Sequence, residues 1–173
     1  MCTVAGTGHR PSKLGGYDQN AIDWLTAVAF KSLRLLNPDT VISGMAMGWD
    51  MALADAAIGL NIPLVAAIPF EGQDRIWSGS VRHRYNQIVN KAVRVVYTSP
   101  PGYAPFKMEV RNRWMVDNAD EILALWDGST GGTKNAVTYA FRKHKPIQNA
   151  WPLFQRTGDL LEPIIGDSDV WQP

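Results

Sequence analysis

The chain has one cysteine, Cys2, in 173 residues. No disulfide can form within it, and a reducing compartment, the cytoplasm, is the expected setting. Long apolar runs are missing as well. The longest, "IPLVAAIPF" at 62–70, falls far short of the roughly 20 residues that a membrane-spanning helix needs. The opening "MCTVAGTGHR" carries neither the basic nor the apolar region of a signal peptide. No excess charge of one sign is present: 17 Lys and Arg stand against 16 Asp and Glu, a net +1. That balance argues against a protein whose main work is to neutralise phosphates along a nucleic acid. Neither a membrane nor a nucleic acid is therefore an expected partner.

Several chemical signatures are absent too. No Gly-Lys-Ser/Thr occurs, so there is no Walker A loop. "GTGHRP" has the first two glycines of a dinucleotide fingerprint, but Pro11 stands where the third is required. There is no G-x-S-x-G nucleophile elbow. His9, His83 and His144 lie far apart in sequence, so no metal site and no resident cofactor is expected.

What remains is an ordinary soluble composition, 46% apolar and 19% charged, in a length that suits one domain. β-branched runs alternate with helical patterns. Strands are expected at 2–7, 40–44, 63–70, 93–98 and 121–127, with 146–150 as a final edge strand. Helices are expected at about 18–37, 49–60, 79–91, 106–118 and 132–144. In the first helix Ile22, Leu25, Ala29, Leu33 and Leu36 recur at steps of three and four, giving one apolar stripe behind an Asp18 cap. This β-α alternation predicts an α/β fold, a Rossmann-like doubly wound and mainly parallel sheet with helices on both faces. Residues 1–150 form the domain, and 151–173 read as an arm on the domain or on an oligomer partner.

In such a sheet, ligands sit at the carboxyl ends of the strands where strand order reverses. The first strand ends in Gly6-Thr7-Gly8-His9-Arg10, and the second runs through Ser43, Gly44, Met45 and Gly48 to Asp50. The third ends in Pro69-Phe70 with Gln73 after it. The fifth ends in Asp127-Gly128-Ser129-Thr130-Gly131-Gly132-Thr133. Glycines let backbone N–H groups approach phosphate oxygens, and a following helix adds unpaired N–H groups and its positive dipole end. The rim thus predicts a phosphate-bearing ligand. His9-Arg10 either binds the anion or braces the loop, and Asp50 either complements a helix dipole or accepts from a ribose or base. Gly44 and Gly48 are expected both to pack a helix onto the sheet and to clear space for a ligand, their neighbours "GTGHR" and "GSTGGT" tipping the balance to ligand access. In "EVRNRWMVDNAD" Arg111 or Asn112 can reach the rim. Trp49 and Trp77 are core residues unless one of them stacks on a flat ligand.

Taken in order, "GTGHRPSKLGGY", "SGMAMGWDMALADAA", "IPFEGQDRIW" with "RYNQIVNKA", and "RNRWMVDNADEILALWDGSTGGT" resemble the YpsA-type branch of the SLOG superfamily. This Rossmann-like group also holds DprA and the lonely-guy phosphoribohydrolases. The resemblance implies a pocket with Gly6, Thr7, Gly8 and Arg10 as one wall and Ser43, Gly44, Gly48 and Asp50 as floor. It also implies Pro69, Phe70 and Gln73 beside a base or ribose, with Asn112 and Gly131-Gly132-Thr133 closing on phosphate. By the same resemblance the ligand is a nucleotide or a nucleotide-derived signal such as an ADP-ribose derivative, and the protein a homodimer or tetramer. Lonely-guy enzymes carry P-G-G-x-G-T followed by a catalytic acid. Here the turn reads "GSTGGTKNA", with Lys134, Asn135 and Ala136 in that place. The expectation is therefore a small-molecule binder acting as sensor, carrier or sequestering protein. The alternative is a nucleotide N-glycosidase drawing its acid or base from Asp50, Asp127 or His9.

Overall fold

The computed structural model describes residues 1–166. The elements follow in the order β1 (Thr3–Gly8), a 3-10 turn (Pro11–Lys13), α1 (Gln19–Leu36), β2 (Thr40–Ser43) and α2 (Trp49–Gly59). Next come β3 (Leu64–Ile68), α3 (Gly79–Lys91), β4 (Arg94–Tyr97), α4 (Phe106–Asp117) and β5 (Glu121–Leu125). The last are α5 (Gly132–Arg142), β6 (Ile147–Asn149), α6 (Trp151–Gln155) and β7 (Glu162–Pro163). They build one seven-stranded sheet in the order β4-β3-β2-β1-β5-β6-β7. Every neighbouring pair is parallel except β6 and β7. The fold is α/β and Rossmann-like.

Strand alternation divides the core. Val4, Val41 and Leu64 stand in register and face the stripe of α1 (Leu25, Val28, Ala29, Leu33) together with α2 and Ile88 of α3. Ala5, Ile42, Ala67, Ile122 and Ala124 point to the other face, where Met115 and Val116 of α4 and Val137 and Ala140 of α5 cover them. Each fully buried Leu or Val contributes about 1.5–3 kcal/mol of burial free energy. Sharp signals bound α1: the Asp18 carboxylate accepts from the Ala21 N–H at 2.8 Å, and Asn37 closes the helix in the left-handed region at φ 48°.

One expectation needs correcting. Residues 146–150 are not an edge strand, because β7 pairs antiparallel outside β6. In the arm expected at 151–173, Leu153 of α6 is buried in the core and the Ile164 N–H donates to the Ile147 carbonyl at 2.9 Å. The arm's last stretch, 167–173, lies outside the described residues. Among the described residues no helix is long and apolar enough to cross a membrane.

Candidate functional site

From β1 the chain steps through β2, β3 and β4 in one direction, then returns to place β5 and β6 on the other side of β1. The order therefore reverses between β1 and β5, and a crevice opens there at the strands' carboxyl ends. It holds a cavity of about 260 Å³ lined by the β1 end, the following 3-10 turn, the start of α2, α4 and the start of α5.

One wall is suited to an anion. α5 begins behind Gly131 (φ 134°) with no side-chain cap and no acid in its first turn. Its first N–H groups have no partner within the helix, and its dipole presents the positive end. A Cβ added at Gly128, Gly131 or Gly132 would meet nothing within 4 Å, so this turn is open. Thr130 and Thr133 line the same wall and can add hydroxyl donors. Opposite stand Arg10, Ser12 and Lys13.

The floor is a buried ion pair. Asp50 is 6% exposed and Arg111 is 4% exposed, and Nη1 of Arg111 lies 3.5 Å from Oδ2 of Asp50. The same Nη1 donates to the Gly44 carbonyl, and Nε donates to Oδ1 of Asn112 at 2.9 Å. The Ala46 N–H reaches Oδ2 of Asp50 at 3.4 Å. Among the described residues Oδ1 of Asp50 and Nη2 of Arg111 have no partner, yet neither is a sealed-off atom. Both residues line the cavity, so each keeps hydrogen-bonding capacity for an occupant. Burial pushes the Asp50 carboxyl above the ordinary carboxylate value, with Arg111 and Arg10 pulling the other way. Burial likewise lowers the Arg111 guanidinium, opposed by Asp50; a guanidinium stays charged at neutral pH regardless.

A second network ties β1 to the β5–α5 loop. Nε2 of His9 lies 2.7 Å from Oδ1 of Asp127. The Asp127 N–H also reaches this nitrogen at 3.1 Å, so Nε2 donates to the carboxylate in one tautomer and accepts from the amide in the other. The Ser129 N–H donates to the same oxygen at 2.9 Å, and Nζ of Lys13 donates to the Ser129 hydroxyl. Burial works to raise Asp127, but the hydroxyl and amide of Ser129 together with His9 outweigh it and hold the carboxyl well below its usual range. Burial lowers His9 against the pull of Asp127, so the pair is a neutral imidazole beside a locked carboxylate. Its work is to brace the loop.

Of the residues singled out from sequence, the fold brings Gly6, Thr7, Gly8, His9, Arg10 and Asp50 to the cavity, together with Asn112, Gly131, Gly132 and Thr133. Arg111 and Thr130 line it too, whereas Ser43, Gly44, Met45, Gly48, Asp127, Gly128, Pro69, Phe70 and Gln73 do not. Ser43, Gly44 and Met45 are buried beneath the floor as scaffold. The Ser43 hydroxyl donates to the Asp50 carbonyl at 2.7 Å and accepts from the Met45 N–H at 3.1 Å. A Cβ on Gly44 would lie 2.6 Å from Oδ2 of Asp50 and closer still to Arg111. Gly48 makes room for the His9 carbonyl, which a Cβ there would meet at 2.6 Å. At both glycines protein atoms occupy the place a Cβ would take, which is the packing half of what the sequence led one to expect. Asp127 and Gly128 stand outside the lining, behind the brace. Pro69, Phe70 and Gln73 belong to the β3 loop beyond it, and Phe70 and Gln73 line a separate cavity.

Trp49 is fully buried, with Nε1 donating to the Leu123 carbonyl at 3.4 Å, and Trp77 packs edge-on against Tyr85. Neither is a stacking platform in the main cavity. Sequence reasoning missed Ser12, Lys13, Ala46 and Met108. For Met108 the signal was available, since it precedes Arg111 by three residues and shares its helical face. Among the described residues no three His, Cys, Asp or Glu side chains come together as a metal site.

Comparison with known proteins fits this architecture. The YpsA family model, described as the YspA SLOG family, matches residues 4–155. The uncharacterized SPbeta prophage-derived protein YoqJ of Bacillus subtilis is 31% identical over 134 residues, covering 68% of this chain and 78% of that one. In fold the chain is similar to DNA processing protein A of Streptococcus pneumoniae, with a TM-score of 0.63 at 20% identity. That match covers 86% of this chain and half of the DprA chain. It is also similar to the molybdenum cofactor carrier protein of Chlamydomonas reinhardtii, with a TM-score of 0.55 at 11% identity over 90% of this chain and 84% of that one. With the family model spanning nearly the whole sheet and the YoqJ match covering most of the chain, this protein belongs to the YpsA SLOG family.

Proposed function

We propose that the protein binds a nucleotide or nucleotide derivative, such as an ADP-ribose derivative, by its phosphorylated sugar and acts as a sensor, carrier or sequestering protein. The observation that carries this reading is the pairing of an uncapped helix N-terminus with a buried Asp50–Arg111 pair in one cavity at the sheet's switch point. The phosphate would sit on the Gly131-Gly132-Thr133 turn, with Lys13 and Arg10 nearby. The Asp50 carboxylate would accept from sugar hydroxyls while Arg111 offers Nη2. The carrier role of the Chlamydomonas neighbour accords with retention rather than turnover. Self-association and a cytoplasmic setting belong to the same reading. Val93, just before β4, and Val95 and Tyr97 within it are exposed at the edge of the sheet, which has no further strand among the described residues, and light scattering on the eluted protein reads the number of copies.

A second reading has one observation of its own. Asp50 is a buried carboxyl with a raised pKa that lines the cavity, which is the profile of a general acid in N-glycoside hydrolysis. Asp127 fits that role poorly, being held as an anion.

Incubating the protein with nucleoside monophosphates, NAD, ADP-ribose, its cyclic isomers and a single-stranded oligonucleotide separates the readings by mass spectrometry of bound and free fractions. Binding predicts one small compound retained intact at micromolar concentration. Hydrolysis predicts free base and a sugar phosphate, with Asp50→Asn abolishing both. Retention of the oligonucleotide alone would move the protein toward the role named for DprA, and no retention of any small compound overturns the proposal.

A further inference from the structure

The main cavity has a notable gap: apart from His9, whose ring is turned to Asp127 and Trp151, no ring lines it, and its larger apolar contact is Met108. Among the described residues it offers charges, hydroxyls and backbone to a sugar phosphate and no apolar aromatic face to a base. A second cavity of about 430 Å³ lies on the same rim, between the loop after β3 and the loop after β4. Phe70, Ile76 and Tyr103 line it, with Pro101 and Gly102 on one side. Phe70 is 6% exposed, whereas Ile76 is 93% and Tyr103 is 72% exposed. Phe70 and Tyr103 meet edge to face at 6.0 Å.

Contacts between neighbouring residues tie the walls of the two cavities together in two places. At the first, Ala46 lines the main cavity, while the carbonyl of the preceding Met45 accepts from Nε2 of Gln73, a lining residue of the second cavity, at 3.1 Å. At the other, Met108 lines the main cavity, while the preceding Lys107 holds the wall of the second. Its Nζ donates to the Pro100 carbonyl at 2.7 Å, to that of Pro101 at 3.3 Å and to that of Gly102 at 2.6 Å. The same ammonium lies 5.7 Å from the centre of the Phe70 ring. Lys107 is only 8% exposed, so its three donors are spent on fixing this loop. Gln73 is also 8% exposed, and its side-chain oxygen has no partner among the described residues. It is an acceptor held at the edge of an apolar slot. Glu71 and Arg75 stand at the same slot.

We infer that this second cavity receives the planar heteroaromatic ring of the ligand whose sugar phosphate occupies the main cavity, the ring packing on Phe70 and Tyr103 and offering an edge donor to Gln73. The inference rests on the nucleotide reading above. An aromatic face accepts any flat ring, and the buried amide supplies the polar contact that fixes its orientation. Discrimination among bases then resides in Gln73, Glu71 and Arg75, all outside the phosphate site.

Each cavity carries its own methyl reporter, Met108 in the first and Ile76 in the second. Protein with labelled Met and Ile methyl groups is titrated with AMP, GMP, CMP, UMP, NAD, ADP-ribose and its cyclic isomers, and separately with ribose 5-phosphate. At least one nucleotide should move both methyl signals, whereas ribose 5-phosphate should move Met108 alone. Tyr103→Ala, at an exposed position that leaves the fold intact, should weaken that nucleotide about tenfold or more while ribose 5-phosphate keeps its affinity. If nucleotides move Met108 and never Ile76, or if Tyr103→Ala leaves nucleotide affinity unchanged, the base does not enter this cavity and the inference is overturned while the nucleotide reading stands. If no probe moves Met108, the nucleotide reading itself fails and this inference falls with it.

Discussion

Gly48 and Gly132 look alike in sequence, each preceding or opening a helix at the same rim, yet the structure gives them opposite duties. Gly48 has φ 97° and ψ −127°, which an L side chain rarely adopts. A Cβ there would lie 2.6 Å from the His9 carbonyl oxygen, 3.1 Å from Cδ of Pro11 and 3.2 Å from the Arg10 Cα. The His9 carbonyl cannot simply withdraw, since it accepts from the Trp49 N–H at 3.4 Å and so ties β1 to the start of α2. Gly48→Ala therefore combines a strained dihedral, about 1–3 kcal/mol, with an overlap against backbone of similar size, about 1–3 kcal/mol. The sum of about 4 kcal/mol corresponds to a melting temperature lower by roughly 12 °C in a chain of this length. At Gly132 the backbone is ordinary helix and the added Cβ meets nothing. Gly132→Ala should leave the free protein unchanged or raise its stability by about 0.4–1 kcal/mol through the unfolded chain. Its methyl would, however, project beside the N–H groups that seat the phosphate, and the retained ligand should bind about tenfold more weakly, a loss near 1.4 kcal/mol. Calorimetric melting with and without ligand reads both quantities. A Gly132→Ala protein that melts as low as Gly48→Ala, or a Gly48→Ala protein that melts with the parent, would refute this division of the glycines.

Further tests concern the charges. Arg111→Met leaves Asp50 buried without its partner and should cost about 3–5 kcal/mol; denaturant melts of Arg111→Met, Asp50→Asn and the double variant should show that the double recovers much of that loss. Asp50 has a raised folded pKa, so its contribution is present below the unfolded value near 3.9 and is lost as pH rises through the folded one. The stability gap between the parent and Asp50→Asn should therefore narrow as pH climbs above about 4, as measured by urea titration at several pH values. Asp127 has the opposite sign: it is held low, so its contribution exists above about 4 and disappears as pH falls, and the parent should lose its advantage over Asp127→Asn in acid. Lys13 is 44% exposed at its side chain, so Lys13→Ala should lower ligand affinity only a few-fold and flatten its salt dependence; titration at two ionic strengths checks both.

The sheet and its helices were legible because period and punctuation agree. The α1 stripe, the Asp18 cap and the left-handed Asn37 follow directly from residue types that admit few alternatives. The rim was legible too, since all parallel strands must deliver their carboxyl ends to one side. Strand order was not, and strand order decides which loops meet. With β5 beside β1, "GTGHR" and "GSTGGT" face each other across one crevice. β3 lies two strands away from β1, which is why Phe70 and Gln73 miss the cavity that the first and fifth strands share.

The glycines of the second strand's end are ambiguous in sequence for a related reason. Nothing in "SGMAMGWD" tells whether the space beside a missing Cβ belongs to solvent, to a ligand or to the protein. Here Arg111 arrives from α4, more than sixty positions away, and fills the place beside Gly44. A long-range side chain of that kind leaves no local trace, since a buried Arg in a helix reads like an exposed one until the helix is docked. The same applies to Lys107, whose ammonium is enclosed by three carbonyls of a loop that precedes it. Both cations lie on α4, which carries the chain from edge strand β4 past β3, β2 and β1 to β5. That crossing brings one helix over both cavities, Lys107 fixing the wall of one and Arg111 the floor of the other. The site is therefore organised less by its glycine-rich loops than by the path of α4, and substitutions on the inner face of that helix should disturb binding sooner than changes in the loops that first drew attention.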